Sequence, residues 1–164
     1  DAAFIVDMNL NIYEHQSTYN PNMPLRGFMY FADLYNIITN KPDLFRDSLV
    51  KIPIPKYVVF YNGIDKKNLP DISYQHLSDA FDCDTKPEGF EWTATMININ
   101  SNHSKDLLDK CKILSDYSTF VGLIRKYKYE HDLKNAILIA IDECVKNNVL
   151  KEVLTKFSRE VAAK

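Results

Sequence analysis

The chain has 164 residues, 46% apolar and 26% charged, which suffices for one domain with a sizeable core, or a domain with an appendage. A net charge of −2 and only four glycines argue against a simple basic DNA-binding module and exclude a Gly-rich phosphate loop. No run of 18 apolar residues occurs, so no membrane span is expected. The charge is uneven. Residues 1–103 hold 8 Lys+Arg against 13 Asp+Glu, and residues 104–164 hold 12 against 9. Cys83, Cys111 and Cys144 lack CxxC spacing and read as core thiols of a reducing compartment, the cytoplasm. The four histidines are scattered, which argues against a His-based metal site.

In chain order, the apolar run AAFIV (residues 2–6) reads as a strand, and residues 10–16 as a second one after a turn at Asp7-Met8-Asn9. A two-residue loop at 7–8 sets partners summing to 15, and one at 8–9 sets partners summing to 17. Both registers put Asp1 on the face of Glu14 and Gln16, because opposed residues share a face, whereas a three-residue loop would not. NPNMP then turns the chain into a helix from about Met23 to Ile38, with Pro24 in its first turn. Its expected core stripe is Phe28, Phe31, Leu34, Tyr35 and Ile38. KYVVFYNG (56–63) is a buried strand ended by Asn62-Gly63. Residues 64–89 read as irregular, with a short ordered piece near YQHLSDAF. FEWTATMININ (90–100) reads as a long strand whose apolar parity switches, implying a bulge or burial of both faces. From Ser101 onward helices are expected at 103–114, 115–129, 132–147 and 149–162.

The hairpin carries Glu14 and Gln16 on the face of Leu10 and Ile12, so a carboxylate and an amide follow two core positions. Two carboxylates on adjacent strands suit a hard cation, which selects oxygen ligands and keeps waters. Asp1 and Glu14 can share such an ion, with the main-chain carbonyl of His15 between Glu14 and Gln16 as a further ligand. The ion would acidify a bound water and offset charge on phosphoryl oxygens.

An Asp followed about a dozen residues later by Glu-x-Gln resembles the PD-(D/E)XK nuclease core, with Gln at the usual Lys position. IYEHQSTYNPNMPLR, YVVFYNG, LSDAF, MININSNHS and LLDKCKILSDYSTFVGLIRKY are similar to bacterial proteins of the recombination-promoting nuclease, transposase-like (Rpn) family. The resemblance implies Asp1 and Glu14 as metal ligands for Mg²⁺ or Mn²⁺, with Gln16 as the third catalytic position. It places Arg26 either on a DNA phosphate or in a pair with a neighbouring acid. Family members carry a helix and strand before the Asp. Together with a first residue that leads straight into an apolar strand, this implies a chain truncated at its N-terminus.

The expected fold is therefore α/β: a restriction-endonuclease-like core (residues 1–103, a mixed sheet flanked by helices, N-terminally truncated) followed by an all-helical region (104–164). The expected function is metal-dependent DNA endonuclease activity associated with DNA rearrangement or defence. The alternatives are a non-catalytic form that regulates full-length copies and an inactive mobile-element remnant. Leu133, Ile137, Ile141 and Cys144, with Leu150, Val153, Leu154 and Phe157, form helical stripes that can pack on each other. Leu138 and Ile139 add apolar surface off the stripe, so a homodimer through residues 132–161 is expected.

Overall fold

The computed structural model describes residues 2–66, 68–82 and 88–162, excluding the side chains of 157–162. Asp1 and Cys83 lie outside the described residues, as do the Phe157 and Val161 side chains. The chain divides into two compact units, Asp1–Asn98 and Ile99–Lys164.

The first unit opens with strands β1 (Ala2–Val6) and β2 (Asn9–Gln16), joined by a two-residue turn. Asp7 and Met8 both take positive φ, 47° and 61°. That is the mirror-image turn whose twist matches paired strands. Of the two registers open from the sequence, the loop at 7–8 is the one adopted: Val6 faces Asn9 and Ala2 faces Tyr13. Helix α1 (Met23–Ile38) then crosses over to β3 (Ile54–Tyr61), which runs parallel to β2. Strand β4 (Ile72–His76) is antiparallel to β5 (Thr93–Asn98), and β5 is parallel to β3. The result is a five-stranded mixed sheet, ordered β1-β2-β3-β5-β4.

Register assigns the faces. Leu10, Ile12 and Glu14 share one face with Tyr57, Val59 and Tyr61, and with Ala94, Met96 and Asn98. All nine are buried. Helix α1 covers this face, and Met23 and Phe31 join its core. On the other face Tyr13 meets Phe4 and Phe60 in edge and tilted ring contacts. Ile54, Ile72 and Tyr74 remain exposed there.

Three details differ from the sequence reading. Strand β4 occupies part of the stretch read as irregular: ISYQH alternates over only five residues with its apolar side chains exposed, and it gains its order by pairing with β5. The β5 register runs without a bulge: β5 ends at Asn98, and Ile99 is buried beyond the strand, which explains the parity switch. On α1 the buried positions are Met23, Pro24, Gly27 and Phe31, whereas Phe28 and Ile38 are exposed. The helix turns Gly27 toward the sheet, and a glycine gives no signal in a hydrophobic pattern.

The second unit holds α2 (Lys105–Lys110), α3 (Lys112–Tyr127), α4 (Leu133–Lys146) and α5 (Lys151–Ala162). The first break falls at Cys111 rather than after residue 114. Its core is Ile141, Cys144 and Leu154, packed with Phe120, Leu123, Ile137, Val145, Val149 and Leu150. Most of the α4 and α5 stripes are thus packed within the unit, as the sequence allowed. Asp132 caps α4 by accepting from the Asn135 N–H at 2.9 Å. No helix among the described residues is long and apolar enough to cross a membrane.

Candidate active site

Strands β2, β3 and β5 run parallel, so their carboxyl ends (Gln16, Tyr61 and Asn98) open on the same side of the sheet. In open α/β sheets that side is where ligands are received. Glu14 sits two residues before the end of β2, on the covered face, and is only 1% exposed. A buried carboxylate is costly unless it is paired and hydrogen-bonded. Three neighbours meet that requirement.

Gln16, next on the same face, donates from Nε2 to Glu14 Oε1 at 2.8 Å. Tyr57, opposite Ile12 on β3, donates its hydroxyl to Glu14 Oε2. Arg26, in the first turns of α1, sets a guanidinium Nη2 against Glu14 Oε1. The same Nη2 donates to the Tyr30 hydroxyl at 3.1 Å, and Nη1 reaches Met23 Sδ at 3.7 Å. The two oxygens are held differently. Oε2 is bonded to Tyr57, which is 3% exposed, whereas Oε1 is shared by Gln16, half-buried, and Arg26, whose side chain is 36% exposed.

Electrostatics follow the packing. Burial, then the bond to Glu14, pushes the Tyr57 phenol well above its ordinary range, so it remains a protonated donor. The Tyr30 hydroxyl and then the charge of Glu14 raise the Arg26 guanidinium, against an opposing effect of burial. Gly27 makes this arrangement sterically available. A Cβ there would lie 2.4 Å from Tyr57 Cδ1, so only glycine lets α1 descend onto the ring that holds Glu14.

A second knot closes the same end of the sheet. Asp65 accepts from the Tyr61 hydroxyl and the Tyr19 N–H, each at 2.8 Å. Both bonds pull its carboxyl below the ordinary range, the Tyr61 bond more strongly.

The structure brings Glu14, Gln16 and Arg26 together and puts the His15 side chain on the exposed, opposite face. Asp1 lies outside the described residues. Among the described residues, no group of three or more His, Cys, Asp or Glu is placed to hold a metal ion. Tyr57, Gln16 and Arg26 already occupy both oxygens of Glu14, so a hard cation of the Mg²⁺ kind would need further oxygen ligands beside that carboxylate. Sequence reasoning missed Tyr57, Tyr30 and Gly27. For Tyr57 the only signal was its parity with Val59 and Tyr61, which identifies the covered face once the β2–β3 register is known.

No protein-family model, curated protein or solved structure matches this chain.

Proposed function

We propose that the first unit is a restriction-endonuclease-like core of the PD-(D/E)XK kind, resembling the Rpn family, and that the protein is a cytoplasmic metal-dependent DNA endonuclease acting in DNA rearrangement or defence. The observation that carries this reading is Glu14: a buried carboxylate at the carboxyl end of a parallel strand, with Gln16 and a helix-borne Arg26 on the same oxygen. Mg²⁺ or Mn²⁺ held by Glu14, with Asp1 and the His15 carbonyl as the other expected ligands, would supply positive charge against phosphodiester oxygens and a more acidic water.

The chain's own groups perform the rest. Tyr57 fixes Oε2 and so orients the carboxylate. Gln16, which can neither accept a proton nor carry charge, orients a water or a phosphate oxygen through its amide. Arg26 is the group suited to fork onto the DNA phosphate. The attacking water's proton leaves to solvent or to the substrate phosphate.

The test is cleavage of plasmid and linear duplex DNA by the purified protein, with and without Mg²⁺. Magnesium-dependent cleavage reduced at least about 100-fold in Glu14→Gln, a loss in the range expected for one electrostatic group, is the expected result. Equal cleavage by wild type and Glu14→Gln would remove Glu14 from the chemistry. A second reading, a non-catalytic protein that regulates a cleaving relative, is favoured by Arg26 itself, because its guanidinium already neutralises Glu14. Absence of cleavage by this chain, with inhibition of a cleaving relative, would select that reading.

A further inference from the structure

Strand β1 leaves its outer edge open. It ends the sheet, no described strand lies beyond it, and all of Ala2–Val6 is exposed. The two-residue turn makes Val6 and Asn9 a hydrogen-bonded pair, and such pairs alternate along an antiparallel ladder. Ala2, Phe4 and Val6 therefore turn their backbone groups to β2, whereas Ala3 and Ile5 turn theirs outward. Edges of this kind are normally guarded by charge, proline or a bulge. AAFIV has none of these.

A groove of about 340 Å³ adjoins this edge. It is walled by Ala2, Ala3 and Ile12 on the hairpin and by Tyr30, Asp33 and Leu34 on α1. Ala3 shares its face with Ile12, so an added strand would set the side chain opposite Ala3 beside the groove. The short alanine leaves room there for a bulky neighbour. The surrounding charge is of one sign. Asp33 lines the groove and Asp7 follows the strand, while residues 1–25 contain no Lys or Arg. Arg26 is engaged with Glu14, and the rest of α1 carries no basic side chain.

We propose that this edge receives an extended, basic segment of another protein, which joins the sheet as a further strand beside β1. The segment carries a bulky aliphatic side chain opposite Ala3, with Lys or Arg two residues away on the same face to meet Asp33. Main-chain bonds to Ala3 and Ile5 supply affinity, and the groove with its acid supplies selectivity. Charge decides against a second copy. Two β1 strands paired on each other would gather Asp7 and Asp33 of both chains at one seam, where like charges repel. None of these contacts uses Glu14 or Gln16, so the inference is independent of the nuclease reading.

The probe is the capped peptide Thr-Lys-Val-Ile-Val-Lys-Thr, read by amide exchange of the full chain in NMR spectra. Its isoleucine can sit opposite Ala3, with a lysine on each side, in either chain direction. The peptide should slow exchange of the Ala3 and Ile5 amides several-fold and leave that of Phe4, already bonded to β2, unchanged. A peptide with glutamate for both lysines should bind about tenfold more weakly, the range for two exposed ion pairs replaced by repulsion. Asp33→Lys, at an exposed position, should reverse that preference. No slowing at Ala3 and Ile5 by millimolar peptide overturns the proposal, as does equal binding of the two peptides. Slowing at both amides that grows with protein concentration in Leu138→Lys, Val153→Lys protein without peptide makes a second copy the occupant, and equally overturns it.

Discussion

Gly27 shows how one residue without a side chain positions the candidate site. Leucine or alanine would be the better helix former there, by up to about 1 kcal/mol for alanine. Yet a Cβ would overlap the Tyr57 ring at 2.4 Å, and that ring is buried under α1 and holds Glu14. The ring cannot retreat into a packed sheet, so the helix must lift. Overpacking of this kind costs about 1–3 kcal/mol, enough to outweigh the propensity gain. Gly27→Ala is therefore expected to destabilise the protein by about 1–2 kcal/mol, read from the midpoint of urea unfolding. A midpoint at or above that of the wild type would show that the helix has room to spare.

At the scale of elements, the joints between helices carry the polar detail. The α4–α5 turn contains Asn148 and Leu150 at φ 58° and 46°, a region that a leucine seldom occupies. Asp116 on α3 holds this turn by accepting from the Leu150 N–H at 3.1 Å while paired with Lys112 at 2.7 Å. Burial pushes the Asp116 carboxyl up, but the Lys112 and Leu150 bonds together pull it further down, leaving it below its ordinary range. A carboxylate with a lowered folded-state pKa contributes stability above its unfolded value of about 3.9. That contribution is lost as pH falls through the folded value. The protection of amides at the start of α5, taken relative to the intrinsic exchange rate at each pH, should accordingly fall in acid as Asp116 protonates, and in Asp116→Asn it should already be low at neutral pH. Protection of those amides that is equal in variant and wild type at neutral pH would mean that the turn is held by its apolar contacts alone.

For the molecule as a whole, association follows from the apolar surface that the helical unit leaves uncovered. The helical unit covers Ile137, Ile141, Cys144, Leu150 and Leu154 in its own core. Among the described residues of 132–161, the large apolar side chains left exposed are Leu133, Leu138 and Val153, at 53%, 38% and 64%. A homodimer through residues 132–161 would be built on these three rather than on the stripe residues already covered within the unit. Light scattering at about 50 μM should then give twice the 19.0 kDa of one chain, and Leu138→Lys combined with Val153→Lys should return it to one chain's mass. A wild-type mass of a single chain would exclude that interface.

Local pattern alone determined a good part of this protein: the AAFIV hairpin, though not which of its two turns, α1 from Met23 to Ile38, the KYVVFY strand and the helical character after Ser101. In each of these, consecutive residues carry the signal, through alternation, helical spacing or turn chemistry. The shared face of Glu14 and Gln16 was legible for the same reason, since parity within one strand needs no tertiary information. Tertiary structure decided what those side chains meet. Tyr57 reaches Glu14 only because β3 lies parallel to β2 with Tyr57 opposite Ile12, a register that depends on how α1 spans the sheet. Arg26 closes on Glu14 because Gly27 lets that helix approach closely, and β4 exists because β5 supplies its hydrogen bonds. Each is a contact between segments far apart in sequence, where backbone hydrogen bonding and packing volume govern and residue pattern is silent.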